Sequence, residues 1–126
     1  MSREKYTGII NEVFSSGALK KAVISKYRSK DDGALKSVLT PFLKGEEKLY
    51  QLETFYSDGK ARHINMKKEE AAEYLLSAAS ICKQINIITT GGTLDVLVSS
   101  KGDIHISGKI SNLSEAEAVL HDKKKN

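Results

Sequence analysis

The segment Lys48–Ile64, KLYQLETFYSDGKARHI, contains the clearest strand and hairpin pattern in the chain. Within Lys48–Ser57, side chains alternate between two faces, as they do along a β-strand. One face carries Tyr50, Leu52, Thr54 and Tyr56, and the other carries Gln51, Glu53 and Phe55. Asp58-Gly59 is typical of a two-residue hairpin turn. The segment therefore predicts that Lys48–Ser57 pairs antiparallel with Ala61–Ile64.

Five further segments, on either side of this hairpin, are short runs of strand-forming residues bounded by turn residues. They are Leu19–Ser25, Lys36–Leu43, Gln84–Thr90, Thr93–Ser99 and Asp103–Ser107. Pro41 cannot donate a hydrogen bond to a neighbouring strand. We therefore expect its segment at a sheet edge or at a bulge.

Two main helices are predicted from apolar residues at helical spacing. The first ends at Gly17, and its apolar stripe is Tyr6, Ile9, Ile10, Val13 and Phe14. The second is expected to have Asn65 as its N-cap, and its stripe is Ala71, Leu75, Ala78, Ala79 and Cys82. A capping box at Ser114–Glu117 predicts a short third helix. Together the elements predict an α+β domain whose antiparallel sheet of about five to six strands has two main helices packed on one face.

Length and composition match one globular domain. The chain has 126 residues, of which 40% are hydrophobic and 29% charged. No uncharged stretch reaches the roughly 20 apolar residues that a membrane helix needs, so no membrane partner is expected. The first residues carry both charge signs and lead into no apolar run, which predicts a cytoplasmic location rather than secretion. Cys82 is the single cysteine, so an internal disulfide is excluded.

The titratable residues form no recognisable catalytic or metal-binding set. His63, His105 and His121 are far apart in sequence and lack the spacing of paired metal ligands. Cys82 closes an apolar stripe, which favours inert packing over nucleophilic chemistry. Gly91-Gly92 is followed by a strand and by no lysine at P-loop spacing, so it predicts a turn. We expect no catalytic, cofactor-binding or metal-binding residue in this chain.

The excess positive charge lies in one early segment and at the C-terminus, where residues 122–125 have a net charge of +2. Residues 18–48 carry eight basic and four acidic side chains, a net charge of +4. Such a segment is suited to phosphate backbones, and Tyr27, Tyr50 and Tyr56 could add stacking on bases. The candidate nucleic-acid-binding residues are Lys20, Lys21, Lys26, Arg28, Lys30, Lys36, Lys83 and Gln84. Three alternatives stay open: a solvated lysine surface, core-facing positions for Tyr50 and Tyr56, and structural capping by the polar residues after the second helix.

Several short motifs follow one another along nearly the whole chain. They are Lys20–Ser25, Leu49–Tyr56, Asn65, Glu69-Glu70-Ala71, Cys82–Thr90, Val96–Gly102 and His121–Asn126. In this order they resemble the N-terminal domain of a group of bacterial class I SAM-dependent methyltransferases. In that group a Tyr-Gln-x-x-Tyr-Phe strand precedes an Asn-capped helix with Glu-Glu-Ala, and a Phe-Lys-Gln-Ala-Asn-like strand and a Val-Leu-x-Ser-x-x-Gly hairpin follow. The last motif resembles the segment that leads into their catalytic domain.

The resemblance implies a non-catalytic accessory domain that helps a methyltransferase bind its substrate. Residues 1–113 would form the α+β domain, and residues 114–126 a short helix and basic linker toward a catalytic domain. This chain lacks the glycine-rich loop and the acidic residue of a SAM site, so SAM is implied only for the full-length protein and the chain is expected to be inactive alone. The implied partners are the C-terminal catalytic domain of the same protein and RNA. The alternative is a protein-interaction or dimerisation module with no nucleic-acid role, which would pair through an edge strand at Lys36–Leu43.

Overall fold

The computed structural model describes residues 3–28 and 33–111, and within them it contains two helices and seven strands. In chain order they are α1 (Arg3–Ser15), β1 (Leu19–Tyr27), β2 (Ala34–Lys44), β3 (Glu47–Tyr56), β4 (Ala61–Met66), α2 (Lys68–Ala78), β5 (Cys82–Thr89), β6 (Gly92–Val98) and β7 (Ile104–Ile110). Lys30 and the predicted helix and linker at 114–126 lie outside the described residues.

All seven strands form one antiparallel sheet in the order β4-β3-β2-β1-β5-β6-β7. The hairpin predicted at Lys48–Ile64 is present as β3 and β4, with Leu52 opposite Ile64. The α+β class with an antiparallel sheet and two helices is therefore confirmed for the described residues. The sheet exceeds the expected five to six strands because the two short segments at its edges also find partners.

The two halves of the sheet have the same topology. α1 is followed by β1, β2 and β3, and α2 is followed by β5, β6 and β7. Each set of three strands runs outward from the centre, where β1 and β5 pair antiparallel with Val23 opposite Asn86. The two αβββ units are therefore related by an approximate twofold axis, and β4 is an addition to the first. The sequence has no internal repeat, so its residue pattern does not predict this symmetry.

Both helices pack on the same face of the sheet. α1 buries its whole predicted stripe, and α2 buries Ala71, Leu75 and Ala78. On the sheet, alternate residues such as Ala22 and Ile24 of β1 are fully buried beneath the helices. The side chains between them are exposed or half-buried, so within the described residues the second face has no helix against it.

Pro41 lies in β2, which is an interior strand between β1 and β3. The edge alternative for Lys36–Leu43 is therefore wrong, whereas β2 does have a β-bulge, between Ala34 and Lys36 in its pairing with β3. The pairing of β1 with β2 ends at Leu39. Pro41 lies beyond it, so its missing N–H removes no hydrogen bond between these two strands. On the other side, Pro41 is opposite Tyr50 of β3, three pairs from the Lys44–Glu47 pair that closes the turn. At this position the two residues of an antiparallel pair exchange no backbone hydrogen bonds, so the missing N–H of Pro41 costs none here either. The sheet edges are β4 and β7.

The start of α2 also differs from the prediction. The helix begins at Lys68 rather than directly after Asn65. Asn65 is not the N-cap because β4 extends past it and pairs it with Gln51 of β3. The first turn is closed instead by Glu70, whose Oε1 accepts a hydrogen bond of 2.9 Å from the backbone N–H of Lys67. This contact is the glutamate half of a capping box.

Candidate nucleic-acid interface

The helix-free face of the sheet presents rows of side chains that cross all seven strands. One row, from β4 to β7, is Ala61, Phe55, Lys36, Ser25, Gln84, Leu97 and His105. The next row is His63, Glu53, Val38, Val23, Asn86, Asp95 and Ser107. All of these residues are exposed or half-buried. We call this surface the open face.

Three of the predicted nucleic-acid-binding residues lie on the open face: Lys21, Lys36 and Gln84. Lys21 is opposite Ile88 of β5, and its side chain and that of Lys36 are exposed. Lys109 of β7 adds another exposed lysine to the same face. The sequence prediction misses Lys109 because the predicted last strand stops two residues before it.

Phe55 provides an aromatic surface beside one of these lysines. The ring is half-buried in the same row as Lys36, and the Lys36 Nζ lies 5.4 Å from the ring centroid. This distance is that of a cation–π contact. A partly exposed ring next to a lysine can stack on a base while the ammonium group binds a phosphate. The alternation of β3 places Phe55 on the face opposite to Tyr50, but alternation within one strand does not show that a lysine of β2 lies beside it.

The tyrosines proposed for stacking lie on the helix-covered face of the sheet, where Tyr56 is half-buried beside Arg62 rather than in the core. Tyr50 is buried with its ring centroid 5.2 Å from that of Phe14, so its core-facing alternative is confirmed. The Tyr27 hydroxyl is 2.5 Å from Ser37 Oγ and 3.2 Å from the Tyr74 hydroxyl of α2. Burial raises the pKa of the Tyr27 phenol. The prediction that Tyr27 lies among the lysines of the basic surface is therefore wrong.

Lys26 and Lys83 lie between the Ser25–Gln84 and Tyr27–Cys82 pairs of β1 and β5. Together with Leu97 and His105 they line a groove of about 660 Å³, to which Asp103 contributes one negative charge. Two lysines that line one groove create a positive potential that favours an anion there. Lys26 also has a φ of +58°, a left-handed conformation that is costly for a residue with a side chain. A strained backbone residue thus lies in the basic groove.

Arg28 and Lys20 are placed differently from the other candidates. The Arg28 Nη2 donates hydrogen bonds to the carbonyl oxygens of Ser99 at 2.5 Å and Val98 at 3.4 Å. It therefore connects the end of β1 to the β6–β7 hairpin. Lys20 is the extra residue of a β-bulge near the start of β1, and its side chain is exposed. Lys30 lies outside the described residues.

A hydrogen-bonded cluster holds the centre of the open face. Gln84 Nε2 and Asn86 Nδ2 each donate a hydrogen bond of 2.9 Å to Oδ1 of Asp95. The three side chains are half-buried. Two amide donors compensate part of the charge of this carboxylate and link β5 to β6. Gln84 thus has a structural contact on the same surface that carries the lysines.

Cys82 is fully buried at the start of β5, so its predicted place in the second helix is wrong and its predicted buried packing is confirmed. Burial raises the pKa of its thiol to about 11, which keeps it protonated and unreactive at neutral pH.

Among residues 3–28 and 33–111, no three His, Cys, Asp or Glu side chains are grouped to hold a metal ion. In the same residues, no helix is long and apolar enough to cross a bilayer.

Gly91 lies in the β5–β6 turn, as predicted, whereas Gly92 is the first residue of β6 and pairs with Thr89. Thr89 Oγ1 accepts a hydrogen bond of 3.1 Å from the N–H of Gly91 and donates one of 2.8 Å to the carbonyl oxygen of Gly92. The N–H groups of a phosphate-binding loop point outward to an anion. Here the N–H of Gly91 instead donates to the Thr89 hydroxyl within the turn, so it does not point outward to an anion.

The fold and this surface define a class of protein: an α+β domain with a seven-stranded antiparallel sheet, helices on one face, and a mixed basic and aromatic surface on the other. Comparisons with protein-family models, with curated proteins and with solved structures show no significant match to this chain.

Proposed function

We propose that this chain is the N-terminal, non-catalytic domain of a SAM-dependent methyltransferase and that its open face helps bind an RNA substrate. The motifs that run from Lys20 to the end of the chain support the family assignment. Under this proposal, SAM binds to the C-terminal catalytic domain of the same protein, which is also the partner of this domain. The protein would act in the cytoplasm.

The observation that carries RNA binding is the placement of exposed lysines on the open face. Lys21, Lys36 and Lys109 project from this face, while the acidic residues of the two rows are Glu53 and Asp95. The Asp95 carboxylate already accepts two amide hydrogen bonds. The groove of Lys26 and Lys83 extends the basic surface at one end of the sheet.

This surface suits a single strand better than a duplex. A sheet face with a half-exposed ring, here Phe55, lets an unpaired base stack while neighbouring lysines hold the phosphates on either side. Contacts of this kind depend on backbone charge more than on base identity. We therefore expect strong dependence on salt and weak dependence on sequence.

The test measures binding of a fluorescent single-stranded RNA of about 12 nucleotides by anisotropy, at salt concentrations from about 50 to 200 mM. Affinity should fall steeply with salt. Lys21→Glu and Lys36→Glu should each weaken binding and reduce the salt slope by roughly 0.7 to 1, the value for one lost phosphate contact. Phe55→Ala should weaken binding without changing the salt slope, because it removes stacking and no charge.

The matched control is Lys68→Glu, which makes the same charge change at an exposed position on α2, on the opposite side of the sheet. Its affinity for RNA should stay close to that of the natural protein. Absence of binding at about 50 mM salt, or equal losses in Lys68→Glu and Lys36→Glu, would contradict RNA binding by the open face.

A second candidate function is dimerisation through β4. This strand is a sheet edge with unpaired backbone groups, and Ile64 on it is 56% exposed. Sedimentation velocity at low and high protein concentration tests this alternative. A dimer that Ile64→Lys converts to monomer would favour it, and a monomer at every concentration would exclude it.

A further inference from the structure

A second cavity opens on the helix-covered face, at the end of the sheet that the helices leave free. It has a volume of about 300 Å³, and residues from β1 to β4, from α2 and from the turn after α2 line it. Leu52 and Ile64 form one apolar side as cross-strand neighbours, and Ile81 forms another. The RNA-binding surface proposed above lies on the opposite face and does not use this pocket.

Four hydroxyl groups form a connected chain along this pocket. The Tyr74 hydroxyl is 3.2 Å from that of Tyr27, which is 2.5 Å from Ser37 Oγ, and Ser37 Oγ is 2.8 Å from Thr54 Oγ1. Three hydrogen bonds use three of the four hydroxyl protons. If every hydroxyl donates to its neighbour in the direction of Thr54, the fourth proton is the one on Thr54. If every hydroxyl donates in the opposite direction, it is the one on Tyr74. The pocket can therefore offer an O–H donor to an acceptor outside the chain.

Arg62 supplies positive charge next to one end of the hydroxyl chain. It is the cross-strand neighbour of Thr54, and its guanidinium carbon lies 5.7 Å from the centroid of the Tyr56 ring. A cation–π contact of this kind holds the guanidinium beside the pocket while its N–H donors stay available for a ligand. When the hydroxyl chain donates toward Thr54, one cation and one hydroxyl donor converge on the same end of the cavity, next to its apolar side of Leu52 and Ile64.

We propose that this pocket binds a small organic anion with an apolar ring. The carboxylate or phosphate of the ligand accepts hydrogen bonds from Arg62 and from the Thr54 end of the hydroxyl chain, and its ring packs against Leu52, Ile64 and Tyr56. A ring of six carbons with a charged group fits a pocket of about 300 Å³. Burial raises the pKa of Tyr27, so its hydroxyl stays protonated within the hydroxyl chain. The pocket therefore has no phenolate there that would repel an anion.

The test uses the whole chain labelled with nitrogen-15 and follows backbone amide shifts during titration with benzoate, phenyl phosphate, inorganic phosphate and benzamide. Benzoate or phenyl phosphate should shift the amides of Thr54, Arg62 and Ile64, with a Kd on the order of 1 mM for ligands of this size. The tighter of the two identifies the preferred anionic group. Benzamide keeps the ring but lacks the charge, and it should bind at least about tenfold more weakly.

Variants separate the anion contact from a general change of the pocket. Arg62→Gln should weaken binding of the ring anions about tenfold or more, whereas Arg62→Lys should retain part of it because the charge remains. Thr54→Val keeps the side-chain shape and removes the hydroxyl, and should also weaken binding. Arg62 is exposed, so its two substitutions are compatible with folding.

Three results would overturn the proposal. One is the absence of shifts at Thr54, Arg62 and Ile64 with both ring anions up to about 10 mM. Another is equal affinity of Arg62→Gln and the natural protein. The third is binding of inorganic phosphate as tight as that of phenyl phosphate, which would exclude the ring contact. Lys21→Glu, on the open face, should leave this binding unchanged, so failure of RNA binding and failure of this site are distinguishable.

Discussion

The Tyr6 hydroxyl of α1 donates a buried hydrogen bond of 2.6 Å to the backbone carbonyl oxygen of Leu75 on α2. Both residues are fully buried where the two helices pack on the sheet. The bond therefore joins the equivalent helices of the two αβββ units. A buried hydroxyl without a partner is costly, so this contact fixes how the helices are positioned relative to each other.

Removal of this hydroxyl should destabilise the protein without preventing folding. Tyr6→Phe keeps the ring in the core and deletes the hydrogen bond to Leu75. We expect the free energy of unfolding to fall by about 1–2 kcal/mol, as measured by urea denaturation followed by circular dichroism. Tyr56→Phe, at a half-buried ring, is the matched control and should change stability by less than about 0.5 kcal/mol. Equal stability of Tyr6→Phe and the natural protein would show that the bond has no net effect.

The stability of the protein should fall in alkaline solution, because burial raises the pKa of Cys82 from 9.0 to about 11 and also raises the pKa of Tyr6. Above pH 9 the unfolded chain loses the thiol proton while the folded chain keeps it. The folded state then binds more protons, so the free energy of unfolding decreases as pH rises. The contribution of Cys82 is complete below pH 9 and is lost by about pH 11, a change of roughly 2–3 kcal/mol.

Urea denaturation at a series of pH values from about 7 to 11 measures this effect. Cys82→Ala is the control, since it removes the thiol and should flatten the decrease between pH 9 and 11, whatever its stability at pH 7. The same decrease in both proteins would assign the alkaline loss to other groups, such as Tyr6.

Local patterns are sufficient for the elements whose packing is local. The stripe of α1 and the β3–β4 hairpin depend on residues close in sequence, and both predictions are confirmed. The position of β2 inside the sheet depends on β1, and the β1–β5 pairing depends on how α2 returns the chain to the centre. Neither relation leaves a signal within one segment, so the edge assignment of Lys36–Leu43 fails.

In the candidate site, too, some features are predictable from the local sequence and others are not. The charge pattern alone points to Lys21 and Lys36, and both side chains are exposed. Regular alternation along β1 would place Tyr27 on the open face with Val23 and Ser25. The positive φ of Lys26 changes the alternation at that point, and Tyr27 turns toward α2 instead. A single left-handed residue in a strand has no clear sequence signal when it is a lysine rather than a glycine.

Two glycines should respond in opposite ways to alanine substitution. A Cβ at Gly92 would lie 2.1 Å from the carbonyl oxygen of Lys109, and the φ of Gly92 is +138°. Gly92→Ala should therefore lower the free energy of unfolding by about 2–4 kcal/mol. Gly8 lies in α1, and beyond the backbone of that helix a Cβ there would meet no described atom within 4 Å, so Gly8→Ala should raise stability by about 0.5–1 kcal/mol. Thermal unfolding of both variants checks the pair, and a tolerated Gly92→Ala would contradict the close approach of β6 and β7.

Lys26 is the residue at which stability and RNA binding should separate. Its φ of +58° costs about 1–2 kcal/mol for a residue with a side chain, and glycine adopts this conformation without that cost. Lys26→Gly should therefore be about 1 kcal/mol more stable than Lys26→Ala. Both variants remove the Lys26 charge from the groove that it lines with Lys83, so both should weaken RNA binding to the same extent and reduce its salt slope equally. Urea denaturation and anisotropy on the two variants measure both quantities. Equal stability would show that the backbone is unstrained, and unchanged RNA affinity in both would remove the Lys26–Lys83 groove from the binding surface.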